Sequence, residues 1–275
     1  LKASGTTFTT NNNTIALNGS ILEVQGTQDL TGVVPNTSST LRLGANATIN
    51  DSSALSVGTL DLANFALTLN DQMAGLTVGQ AVTLDAATEQ IISGNADLSL
   101  NGGITVNNGI LSSTEGTLSS SGFSAGAAGT VQILGGSLIL PSGGTAVSGA
   151  AFTTSNAAIS MAGTLEVADT WTSTNTNLSL TADAVLSSTA LLSLATLSTN
   201  GHDFRLASNT TDLAVTDGLN ITSSTVETGP ADLTLNGPLT VLEGGIMSSG
   251  GNLTFGTGAV NSSFGQQGTF MHLTD

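Results

Sequence analysis

The stretch Asp212-Leu-Ala-Val-Thr-Asp-Gly-Leu-Asn-Ile221 aligns without a gap on Asp232-Leu-Thr-Leu-Asn-Gly-Pro-Leu-Thr-Val241, twenty residues further along. The next step of twenty begins Asn252-Leu253-Thr254-Phe255 and reaches Val260. An independent pair stands near the other end, where Ala47-Thr-Ile-Asn-Asp51 matches Leu67-Thr-Leu-Asn-Asp71. Leu55-Ser-Val-Gly58 and Leu76-Thr-Val-Gly79 follow it one residue out of step. A longer echo links Ala96-Asp-Leu-Ser-Leu-Asn-Gly-Gly-Ile-Thr-Val106 to Ala231-Asp-Leu-Thr-Leu-Asn-Gly-Pro-Leu-Thr-Val241. Self-similarity at a fixed short period is the mark of a chain built by stacking one unit on the next.

Inside each repeat runs a finer beat. Apolar pairs of the type Leu233-Thr-Leu235 begin at Leu213, Leu219, Val226, Leu233, Leu239, Ile246, Leu253 and Val260. Strict alternation puts one side chain in and the next out, the period of a half-buried strand. Three such strands in roughly twenty residues describe a triangular coil, giving about thirteen coils over residues 1–275 as a single solenoid domain. Asn18-Gly19, Asn101-Gly102, Asn200-Gly201 and Asn236-Gly237 sit where corners are needed and tolerate positive φ. Asn-Gly is equally a hairpin signal. A hairpin sandwich, however, does not require equivalent residues to recur every twenty positions with the same neighbours, whereas a parallel solenoid does. Gly122 to Thr130 and Gly143 to Ala150 blur the repeat and read as loops projecting from corners.

Composition agrees with an all-β reading. The chain is 39% hydrophobic but only 8% charged and 3% aromatic, with 34 Gly and no Cys. Ordinary domains carry about 25% charged residues, so helices laced with surface ion pairs are not expected. The plentiful apolar residues argue against disorder. The Ser, Thr and Asn that fill the remainder suit turns and solvated strand faces. The formal charge of −16 leaves only Lys2, Arg42 and Arg205 as cations. That excludes nucleic acid as a partner, because phosphate binding needs Lys and Arg, and it excludes electrostatic docking on an anionic membrane. No apolar run approaches the roughly twenty residues of a transmembrane segment.

Three phrases carry a family resemblance: Leu60-Asp-Leu-Ala-Asn-Phe-Ala-Leu-Thr-Leu69, Thr196-Leu-Ser-Thr-Asn-Gly-His-Asp-Phe-Arg-Leu206 and Ala231-Asp-Leu-Thr-Leu-Asn-Gly237. Their LxLxG and GxLxV style resembles the β-helical passenger regions of autotransporters and of filamentous-haemagglutinin-type, two-partner-secreted adhesins. The resemblance spans most of the chain. It implies a right-handed coil, a bacterial extracellular or cell-surface setting, and a role in adhesion or in building a surface layer, with cell-surface glycans or host and neighbouring cells as partners. It also implies that the sequence is a segment of something longer.

Candidate chemistry is sparse. Asp51 with Asp71, Asp183 with Asp203, and Asp212 with Asp232 are each twenty apart, so a stacked coil puts them on adjacent rungs. Like charges so placed repel unless bridged. They are therefore either a row of calcium sites, since hard cations favour carboxylate oxygens, or turn aspartates facing water. A polysaccharide lyase or hydrolase needs clustered carboxylates, or a basic residue beside a metal. His202 and Asp203 are adjacent and point to opposite faces of a strand, and His272 has no visible partner, so no catalytic residues are assigned and an enzyme is not expected. Trp171 reads either as an exposed platform for a sugar ring or as a structural residue filling a corner. A TxT spacing, as in Thr7-Phe-Thr9, does not recur at twenty and gives no ice-binding face. The segments 1–13 and 262–275 read as polar, strand-capable tails, able to add a strand to a neighbouring copy and so build a homo-oligomer, fibre or sheath.

Overall fold

The computed structural model describes residues 2–3, 15–140, 142, 145–147, 151–168, 170–261, 263–264 and 269–274. The chain is an all-β, right-handed parallel β-solenoid of roughly a dozen turns. Every strand pairing among the described residues is parallel, and a 3₁₀ turn at Thr257–Asn261 is the one helical element among them. The chain divides into two compact units, residues 1–139 and 140–275.

Three consecutive short strands make one coil of the first unit: Gln90–Ile92, Asp97–Leu100 and Ile104–Val106. The next coil repeats them as Ile110–Ser113, Thr117–Ser120 and Phe123–Ala125. Leu111 lies on Ile91, Leu118 on Leu98 and Phe123 on Ile104. All six of these side chains are buried. The coil therefore encloses a column of mostly aliphatic side chains stacked in files about 4.8 Å apart, while Ser99, Thr105, Thr117, Ser119 and Ser124 face outward. In the older repeat pair Leu67 lies on Ala47 and Leu69 on Ile49, and Leu76 lies on Leu55 at a spacing one residue longer.

The second unit holds the decisive repeat in the register its sequence implies. Asp212 to Val215 pair with Asp232 to Leu235, and Leu219 to Ile221 with Leu239 to Val241. Leu253 continues the file of Leu213 and Leu233.

Three local expectations change. Gly122 to Thr130 is not a projecting loop: Phe123–Ala125 is a strand with Phe123 and Ala125 buried. The blur arose because Phe and Ala take places that Ile and Val hold one coil earlier. Within 143–150, Thr145–Val147 is a strand paired with Leu165–Val167, and the rest lies outside the described residues. Val260 falls in the 3₁₀ turn, and the strand that follows Thr240–Val241 in the stack is Ser263–Phe264, a step of 23. Within 262–275, Ser263–Phe264 and Thr269–Thr274 are strands, the latter paired along Gly244–Ser249, and the rest lies outside the described residues. At the other end Lys2–Ala3 pairs with Glu23–Val24, and 4–13 lies outside the described residues.

The Asn-Gly corners solve two different problems. Asn200 and Gly201 adopt φ of 50° and 88°, a left-handed turn. Gly102 and Gly237 do not have positive φ. They are small because the preceding coil crosses close behind them: a Cβ on Gly237 would sit 2.3 Å from the carbonyl carbon of Asp217.

Candidate functional site

The paired aspartates act first on the backbone. Asp183 Oδ1 accepts the Asp203 N–H at 2.9 Å, and Asp203 Oδ1 accepts the Thr225 N–H at 2.8 Å. Likewise Asp212 Oδ1 accepts the Asp232 N–H at 3.1 Å. Asp232 Oδ1 accepts both the N–H and the side-chain amide of Asn252, at 2.7 and 3.1 Å. Each carboxylate thus binds the amide one coil further on, at a corner where main-chain groups need partners. Asp97 does the same for Thr117, and Asn46 for Ala66.

Asp51 and Asp71 behave differently. Asp51 is only 2% exposed, and its Oδ1 accepts the Ser53 N–H and hydroxyl at 2.9 and 2.8 Å. Its buried Oδ2, like Asn50 Oδ1 beside it in sequence, has no protein donor. Asp71 is exposed and lies against Gly94. Among the described residues no three His, Cys, Asp or Glu side chains gather as a metal cluster.

A groove of about 430 Å³ on the second unit is lined in part by Asp183, Asp203, Arg205, Thr225, Glu227 and Met247. The register explains how they meet. Val185, Arg205, Glu227 and Met247 are successive members of one file. Asp183, Asp203 and Thr225 each lie two residues earlier on the same rungs, so they share the outward face. A register shift at Met161/Gly163, where Gly163 has φ of 71°, shapes the neighbouring edge of the groove. A second depression of about 290 Å³ adjoins it and shares Arg205 and Glu227. His202 stands beside the groove, with Nδ1 at 3.9 Å from Asp183 Oδ1.

No repeat or motif in the sequence links Arg205 to Glu227. The signal was hidden because Arg205 and Glu227 are 22 apart, not twenty. Trp171 is a core residue: it is 4% exposed, packs on Phe152 at 5.2 Å between centroids, and donates its Nε1–H to Thr154 Oγ1 at 2.8 Å. Arg42 is ion-paired with Asp61 at 2.7 Å.

Along the inward file Val215, Leu235, Phe255 the exposure runs 0%, 1% and 45%. Along Val226, Ile246, Met271 it runs 0%, 0% and 43%. Files that are core from Val215 to Ile246 are half open at Phe255 and Met271. No helix among the described residues is long and apolar enough to cross a membrane. No family model, curated protein or solved structure matches the chain.

Proposed function

We propose that the chain is a structural, adhesin-like module of an extracellular or cell-surface layer, which assembles by apposition of another copy onto the rungs that carry Phe255 and Met271. The observation that carries this reading is the opening of the core at Phe255 and Met271. Apolar side chains in core files gain from being covered, at roughly 25 cal/mol per Å² of apolar surface removed from water. A parallel coil laid on this end would continue both the aliphatic files and the backbone ladder. The resemblance to bacterial autotransporter and two-partner-secreted adhesins supports the surface setting.

Sedimentation velocity over a concentration series tests it. The wild-type chain should form species larger than a monomer as concentration rises, and the Phe255→Asp/Met271→Asp variant should not. A wild-type chain that stays monomeric to its solubility limit would refute the proposal.

The carboxylate groove favours a second reading, a carbohydrate-active β-helix. Release of new reducing ends from a polysaccharide panel would mark that activity.

A further inference from the structure

We infer that the groove around Arg205 and Glu227 is a binding site for an uncharged oligosaccharide, recognised through its hydroxyl groups. The inference concerns a side face of the stack, so it stands or falls separately from end-to-end assembly.

The first argument is concentration of charge. In a chain with 8% charged residues, four charged side chains gather on three consecutive rungs: Asp183, then Asp203 with Arg205, then Glu227. The sheet surface offers a grid, with neighbours about 4.8 Å apart across rungs and about 7 Å apart along one strand between every second residue. Such a grid presents several polar groups at once to an extended ligand.

The second argument is pre-organisation. Asp183 and Asp203 each spend Oδ1 on a backbone amide of the next coil, at 2.9 and 2.8 Å. Those bonds fix both carboxylates while leaving Oδ2 of each to accept from a ligand. A polar group held before binding loses little entropy on binding.

The third argument selects the ligand. Three carboxylates repel an acidic sugar, and an ammonium group, which can only donate, leaves the Arg205 guanidinium without an acceptor. A hydroxyl both donates and accepts, so it can donate to Asp183, Asp203 or Glu227 and accept from Arg205. Val185, half-buried, and Met247, 40% exposed, flank the charged groups in the same file and give apolar surface for a sugar's C–H face. A few placed polar groups among apolar ones is the usual make-up of a small-ligand site. The adjoining depression shares Arg205 and Glu227, which provides room for more than one sugar unit.

Isothermal titration of the full chain with cellohexaose, xylohexaose, mannohexaose and maltohexaose tests the inference. An oligogalacturonate and a glucosamine hexamer serve as the acidic and cationic counterparts. At least one neutral probe should bind, and Arg205→Met and Glu227→Gln should each weaken it by about tenfold or more. Both residues are exposed, and unchanged thermal unfolding of the variants would confirm that the loss is local. No heat with any neutral probe, preference for either charged probe, or variants that bind as the wild type does, would each overturn it.

Discussion

Residues 212–241 and residues 251–274 belong to the same stack but follow different rules. In the first stretch the step is twenty, every inward Leu, Val and Ile of the repeat is at most 1% exposed, and Asp212 holds the amide of Asp232. In the second the step lengthens to 23 and then 25, a 3₁₀ turn interrupts the strands, and Phe255 and Met271 stand in core files while almost half exposed. The same residue type therefore has different value according to whether a coil lies on both sides. A solenoid is stabilised by nearest-neighbour contacts between repeats, and Phe255 and Met271 are covered less than the residues beneath them in their files.

The largest expected effect comes from testing that asymmetry. Leu235→Ala, in the middle of its file, should lower unfolding free energy by about 3 kcal/mol, in the range for buried Leu truncations. Phe255→Ala, one rung along the same file, should cost less than about 1 kcal/mol in the dissociated chain. Denaturant titration of both variants at low protein concentration checks it, and equal losses would show that the last rung is as well packed as the middle.

A middling effect is expected where the coils approach most closely. Gly237→Ala brings a Cβ against the Asp217 main chain, and the shift this forces should cost about 1–3 kcal/mol. Gly250→Ala, with nothing but the Pro230 Cα at 4.0 Å, lacks that contact. Its penalty should come only from its φ of 95°. If the two variants lost the same amount, close approach would not be the reason for Gly237.

A smaller effect is expected at the aspartate links. Asp232→Ala removes an acceptor used by both the main-chain and side-chain N–H groups of Asn252 and should cost about 1–2 kcal/mol. Asp232→Asn, which keeps an acceptor oxygen, should recover part of it. Amide exchange at Asn252 should quicken in the alanine variant. An unchanged rate would mean that the carboxylate adds nothing to that corner.

These residues also show what sequence could and could not convey. The stack was legible because Leu233 repeats Leu213 at a constant distance, and a constant distance is what in-register pairing requires. The corners at Asn236-Gly237 were located correctly but for the wrong physical reason, since close approach and positive φ both select glycine. The groove was not legible. Arg205 and Glu227 become neighbours only because their coil is two residues longer than the norm, and no fixed-period comparison brings them together. Trp171 was ambiguous because its deciding partners, Phe152 and Thr154, lie one coil back in a stretch where the repeat is irregular.

The parallel register itself can be probed directly by pairing Ala214→Cys with Thr234→Cys in a chain that has no cysteine of its own. Residues 214 and 234 lie side by side on adjacent rungs, at a separation of about 4.8 Å that suits a disulfide. Mild oxidation of the native variant should yield an intramolecular bond between them, seen as a peptide cross-link by mass spectrometry. Failure to form that bond under native conditions, with ready formation only after unfolding, would contradict the stack.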